Sequence, residues 1–340
     1  MNYARRLQKI GSSMLVSLPS DWIKINKLEK GSTVFLETNE DNSVSLFPSG
    51  MTDAEATDVN ILYNRSYIDG VINQIYGAYL LGYNDINIRS ENQINQQHRE
   101  RIKLTLRRLA GLEIVDEDNS KIASQFLLDE KSLDAERILR RMNSIVGGMY
   151  RDALNSLTQN IDGARDLIFG RDDEVDRQYF LLVRLIRSAM VDQKLARKLN
   201  LSNIDILDYR VAAYHLECAG DYTSEFASTI HSISQSKIVA EIAQAGGYIE
   251  KMQIKSVDAF TRKNRSESMG IIKAYHDFGA VMDSIKEMYA KLELANTESA
   301  IAILNSIHSM DKIAKCWVDV ADLVKPVYLT SIRRGSRRNV

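Results

Sequence analysis

Residues 216–227 read Leu-Glu-Cys-Ala-Gly-Asp-Tyr-Thr-Ser-Glu-Phe-Ala, and residues 310–321 read Met-Asp-Lys-Ile-Ala-Lys-Cys-Trp-Val-Asp-Val-Ala. Laid over one another, Leu216 meets Met310, Glu217 meets Asp311, and Glu225-Phe226-Ala227 meets Asp319-Val320-Ala321. Each stretch sits in a run with apolar residues at helical spacing, so the pair marks an internal duplication of a helical unit. Working outward, helical periodicity fits 132–160, 162–196, 203–234, 236–264, 266–293 and 297–324, with short breaks such as Asn200-Leu201-Ser202-Asn203. Six helices, three and three, predict two three-helix bundles side by side over residues 131–325.

Composition agrees with a long helical chain. The 340 residues include only 3 Pro and 17 Gly, the two residue types that interrupt helices most. Apolar content of 44% and charged content of 26% are ordinary for a globular protein. Cys218 and Cys316 lie far apart in helical runs, which predicts reduced, packed thiols. No run approaches the ~18 apolar residues of a membrane span, and MNYARRLQKIGSS has no apolar signal core. A cytoplasmic protein without membrane insertion is expected.

The N-terminal residues read differently. Met14, Val16 and Leu18 alternate toward Pro19, which with Ser20 and Asp21 supplies a helix start ahead of Trp22. Val34 to Leu36 and Val44 to Phe47 are β runs around a polar loop at Asn39 to Ser43. This 1–50 module holds too few large apolar residues for a core of its own and is expected to pair with a second copy. Between the two regions, 51–130 reads as an α/β connector. It has a helix from Ile68 to Gly82, a strand at Ile86 to Ile88, a basic helix over Ile94 to Leu109 and a terminal hairpin.

Net charge is −1, but it is unevenly spread. Residues 1–30 carry six basic residues against two acidic ones, and the tail 326–340 carries Arg333, Arg334, Arg337 and Arg338 with no acid. Gly11-Ser12-Ser13 lies between two strands beside Arg5, Arg6 and Lys9. Cationic side chains with short hydroxyls suit phosphate contacts, though scattered basic residues also suit a merely solvated face.

A second constellation is acidic. Asp172 and Asp176 are four apart, as are Glu217 and Asp221, so each pair shares a helix face bordering an apolar stripe. Carboxylates there must be paired or hold a cation. Spacing alone is weak, since a chain with 45 acidic residues has many such pairs. No catalytic pattern competes: His215, His231 and His276 lack matched partners, and no Gly-rich phosphate loop is present. The chain is expected not to be an enzyme.

Two family resemblances join these observations. Arg6-Leu-Gln-Lys-Ile-Gly-Ser-Ser-Met-Leu-Val-Ser-Leu-Pro-Ser-Asp-Trp22, with Lys30-Gly31-Ser32 and Leu46-Phe47-Pro48, resembles the AbrB/SpoVT family of swapped-hairpin β-barrels. That implies an interleaved homodimer and places Arg5, Arg6, Lys9, Ser12 and Ser13 near DNA. Asp172-Asp-Glu-Val-Asp176 and Leu216-Glu-Cys-Ala-Gly-Asp221 resemble the paired signatures of the PhoU family, duplicated three-helix bundles that regulate phosphate uptake. The joint order is similar to an archaeal-type fusion of the two. It implies Asp172, Asp176, Glu217 and Asp221 as ligands of iron or zinc in the first repeat. It implies as partners a second copy, DNA and the ATPase subunit of a phosphate transporter. A transporter-associated scaffold that does not bind DNA is the alternative. The second repeat departs from the pattern, because Lys315 falls at the Asp221 position, or at the Glu217 position if the register slides by four to superpose the cysteines.

Overall fold

The computed structural model describes residues 3–38, 43–48, 58–159, 163–233, 236–291 and 297–325. The 50/51 boundary, most of the Asn39 to Ser43 loop and the basic tail 326–340 lie outside the described residues. The chain divides into two compact units, Met1–Thr57 and Asp58–Val340.

In the first unit, β1 (Gln8–Ile10) and β2 (Ser13–Leu15) form an antiparallel ribbon. Its two-residue loop uses Gly11 at φ +64°, a conformation that favours glycine. The strand expected to continue to Leu18 stops at Leu15, and α1 (Ser20–Ile25) follows Pro19. β3 (Val34–Thr38) and β4 (Val44–Pro48) form a second, separate ribbon. A single chain therefore closes no barrel among the described residues. The physical reason is visible in the burial. Ile10 is 63% exposed, Phe35 54% and Leu36 70%, so among the described residues these apolar side chains are left uncovered.

The second unit opens with a four-stranded sheet in the order β5 (Asp58–Leu62), β6 (Asp85–Arg89), β8 (Lys121–Phe126), β7 (Leu112–Glu117). The parallel β5–β6 pair is joined by α2 (Ile68–Leu80), and α3 (Gln96–Arg108) links β6 to the β7–β8 hairpin. Ile61, Ile86, Ile88 and Ile122 share a core with Val71, Ile75 and Tyr79 of α2 and Ile102 and Leu106 of α3. β5 is the strand the sequence reading misses, since its five residues Asp-Val-Asn-Ile-Leu are too short a run to establish a period.

The helical part follows: α4 (Ala135–Thr158), α5 (Ala164–Val191), a short α6 (Gln193–Lys198), α7 (Asn203–Thr229), α8 (Ser236–Thr261), α9 (Arg265–Ala290) and α10 (Thr297–Asp322). Helices α4, α5 and α7 make one bundle, and α8, α9 and α10 the other, as expected. The run expected over 162–196 breaks at Asp192, whose carboxylate accepts the Lys194 amide and starts α6. Ser202 and Asp205 close a reciprocal capping box at the start of α7.

The two bundles meet along α7 and α10. Thr229 Oγ1 lies 3.1 Å from Ser306 Oγ, Lys312 Nζ sits 4.7 Å above the Tyr222 ring, and His215 Nδ1 is 4.0 Å from Asp319. Position rises along one helix as it falls along the other, so the seam is antiparallel. Trp317 on α10 is fully buried and donates through Nε1 to Asn143 Oδ1 on α4, 2.9 Å away. No helix among the described residues is long and apolar enough to cross a membrane.

Arg184 of α5, only 1% exposed, fastens the sheet to the bundle. Its guanidinium donates to the carbonyls of Tyr79, Gly82 and Tyr83, to Asn84 Oδ1 and to Glu130 Oε1, at 2.7–3.1 Å. It lies 3.9 Å from the Phe126 ring centroid. Arg184→Met keeps most of the stem volume but leaves these acceptors unmet. It is expected to cost about 3–5 kcal/mol in denaturant unfolding. A loss within ~0.5 kcal/mol would show that water replaces the guanidinium without penalty.

Candidate functional site

The run Asp172-Asp173-Glu174-Val175-Asp176 on α5 sorts its acids by direction. Asp173 pairs with Arg108 at 3.1 Å, and Glu174 pairs with Arg141 at 2.9 Å and Arg177 at 3.6 Å. Asp172 and Asp176, one turn apart on the α7 side, make no ion pair among the described residues. Glu217 and Asp221 of α7 make none either. The structure thus brings together the four carboxylates that the sequence singled out.

Gly220 sets how closely α5 and α7 approach. A Cβ there would lie 3.0 Å from Asp172 Oδ1 and 3.5 Å from Val175. Asp172 therefore rests against the α7 backbone, where Ser224 Oγ donates to its Oδ2 at 3.0 Å. Ser224 is buried and orients the carboxylate. Spacing hides this role, since serine is common on helices and only the packing shows which carboxylate it meets. Beside the cluster, Cys218 Sγ donates to Glu217 Oε2 at 3.6 Å. Both cysteines are free, and burial pushes the Cys316 thiol up to about 12.

Electrostatics mark the cluster as short of positive charge. Burial, then Asp221 and Asp173, raises Asp172 to about 6 against the Ser224 hydrogen bond. Burial and the neighbouring Asp172 and Asp221 raise Asp176 to about 6. Burial, then Asp221, raises Glu217 to about 7, and burial raises Asp221 at the exposed rim. Among the described residues, however, no three His, Cys, Asp or Glu side chains already converge at metal-binding distance.

The second repeat is built differently. The third helix of each repeat ends at Thr229 and at Asp322, 93 positions apart, which fits an offset of 94 and not the 98 that superposes the cysteines. That spacing chooses the register placing Asp311, Lys315 and Asp319 at the Glu217, Asp221 and Glu225 positions. Lys315 Nζ pairs with Asp319 at 2.6 Å, and Tyr275 Oη of α9 donates to Asp311 at 3.2 Å.

In the other unit, Arg5, Arg6, Lys9, Ser12 and Ser13 are all exposed. Lys9 on β1, Ser12 in the loop and Ser13 on β2 gather at the ribbon tip, while Arg5 and Arg6 precede β1. Arg5 lies 5.7 Å from the Tyr3 ring centroid, and Arg6 and Lys9 make no ion pair among the described residues.

Comparison with known proteins bears on the helical part. Residues 139–230 match the family model described as PhoU domain, a span holding all four carboxylates and Ser224. The crystal structure of PhoU from Pseudomonas aeruginosa aligns with a TM-score of 0.51 and 16% identity, over 59% of this chain and 96% of that one. The phosphate transport system regulatory protein PhoU from Streptococcus pneumoniae aligns with a TM-score of 0.49 and 14% identity, over 57% and 96%. No curated protein matches the chain. The helical part therefore has a PhoU-like fold, and its first repeat holds the stretch that matches the PhoU domain model.

Raised carboxyl pKa values make the folded state hold protons that the unfolded chain has lost. Stability from the cluster is then present below about pH 4 and lost as pH rises through 6 to 7. The Asp172→Asn, Asp176→Asn double variant should exceed the wild type in melting temperature at pH 8 without divalent cations. The gap should close toward pH 4. Parallel melting curves across that range would show that the carboxylates are solvated in the folded state.

Proposed function

We propose that the chain is a homodimeric, cytoplasmic, DNA-binding regulator of phosphate uptake and phosphate homeostasis. The observation that carries this reading is the match to the PhoU domain model over 139–230, a span with four clustered carboxylates that make no ion pair among the described residues. Their donor chemistry fits a cation. All are oxygen ligands on the edge of an apolar core, and their pKa values are raised by burial and by one another. Asp172, Asp176, Glu217 and Asp221 would hold an iron- or zinc-type ion, drawing in by side-chain rotation. A bound ion supplies the positive charge that the first repeat lacks. Ser224 and the bare face of Gly220 keep Asp172 aimed at the cluster meanwhile. The helical domain reports phosphate status, with the ATPase subunit of a phosphate transporter as its protein partner.

DNA contact is assigned to Arg5, Arg6, Lys9, Ser12 and Ser13, supported by their exposure at one ribbon and by the local basic excess. Dimerisation is supported by the uncovered apolar residues of the same unit, Ile10, Met14, Phe35 and Leu36, which a second copy would bury.

Gel shifts of the full chain on promoter fragments of phosphate-uptake genes, across a salt series, test the DNA assignment. Arg5→Ala with Arg6→Ala should weaken binding and reduce the slope of log K against log salt by roughly two. Equal slopes in a folded double variant would reject these contacts, and no binding by the wild type would favour the transporter-associated scaffold.

Sedimentation of the full chain should give a dimer that Leu36→Asp splits. A monomer in the wild type would refute the pairing.

A further inference from the structure

We infer that cation binding is confined to the first repeat, because in the second repeat the Lys315 ammonium stands where the cation would be. This rests on the cation reading of the first repeat and extends it to the division of labour between the two halves.

The third helices of the two repeats end 93 positions apart, at Thr229 and Asp322, which fits the register with Lys315 on the Asp221 position and Asp311 on the Glu217 position. In the first repeat this face carries four carboxylates and no basic partner among the described residues. In the second repeat every corresponding acid is already satisfied. Asp319 holds Lys315 at 2.6 Å, with His215 of the first repeat at 4.0 Å. Asp311 accepts from Tyr275 at 3.2 Å, and Lys315 lies 5.9 Å from the same tyrosine ring.

The other wall differs too. Helix α5 supplies Asp172 and Asp176, whereas α9 between Arg265 and Tyr275 has Glu267 as its only acid, at the start of the helix. An incoming divalent ion would meet fewer oxygen ligands and a positive charge at Lys315. The two bundles share a fold, yet only one is short of positive charge.

The test is metal analysis of the full chain after loading with Fe(II) without oxygen, or with Zn(II), alongside amide exchange with and without the ion. Asp311→Asn should retain the wild-type metal content, and Glu217→Ala with Asp221→Ala should lose it. Added ion should slow exchange in 164–191 and 203–229 and leave 265–290 and 297–322 unchanged. Lys315→Glu, which puts three carboxylates one turn apart on α10, should raise the metal content above wild type. Metal loss in Asp311→Asn, ion protection reaching α9 and α10 in the wild type, or no gain in Lys315→Glu would each overturn the inference. No metal in the wild type would instead overturn the cation reading of the first repeat. In that case a gain by Lys315→Glu would still show that Lys315 is what closes the second.

Discussion

A single buried guanidinium joins the two halves of the larger unit. Arg184 leaves α5 and meets the chain where α2 ends, taking carbonyl oxygens that a helix terminus cannot satisfy internally. Buried carbonyls at that turn would each be costly without a donor, and a buried guanidinium would be costly without acceptors. Each solves the other's problem. Glu130 balances the charge and the Phe126 ring covers one face of the plane, so the sheet is held against the bundle at one defined place. The Arg108–Asp173 pair and the Tyr76–Phe180 ring contact join α3 and α2 to α5 as well.

The bundle itself is a duplication with unequal chemistry. Its seam is antiparallel and well packed, with Trp317 tied across to Asn143 of the first helix. Burial on the two sides is alike, so both repeats can serve as scaffold. The difference lies in which acids find cations. On α5, Asp173 and Glu174 point toward arginines of α3, α4 and α5 itself, while Asp172 and Asp176 point toward α7 and meet further carboxylates. Burial and neighbouring carboxylates raise Asp172, Asp176 and Glu217, so ionising them at neutral pH works against folding.

The small N-terminal unit obeys a different constraint. Ile10, Met14, Phe35 and Leu36 leave its two short ribbons with apolar surface in water. The exposed Lys9, Ser12 and Ser13 stand at the tip of the first ribbon. One element thus carries both apolar surface and a charged tip.

Much was legible before any coordinates. Helical periodicity and scarce proline placed six helices in two sets of three, and the break at Asn200 to Asn203 lies close to the start of α7. The carboxylate pairs were visible because a helix fixes which residues share a face. What stayed hidden depends on contacts far apart in sequence. β5 forms because β6 pairs with it, α6 separates because Asp192 finds an amide to cap, and Arg184 reads as one more surface arginine until α2 arrives beside it. The choice between two registers for the repeat was open in the sequence, since either superposes plausible residues. The C-terminal ends of α7 and α10 decided it, because a helix end is set by where backbone groups can be satisfied. Local pattern determined what each segment is. Only the tertiary structure decided which charges meet, because side-chain partners depend on helix packing that no single segment encodes.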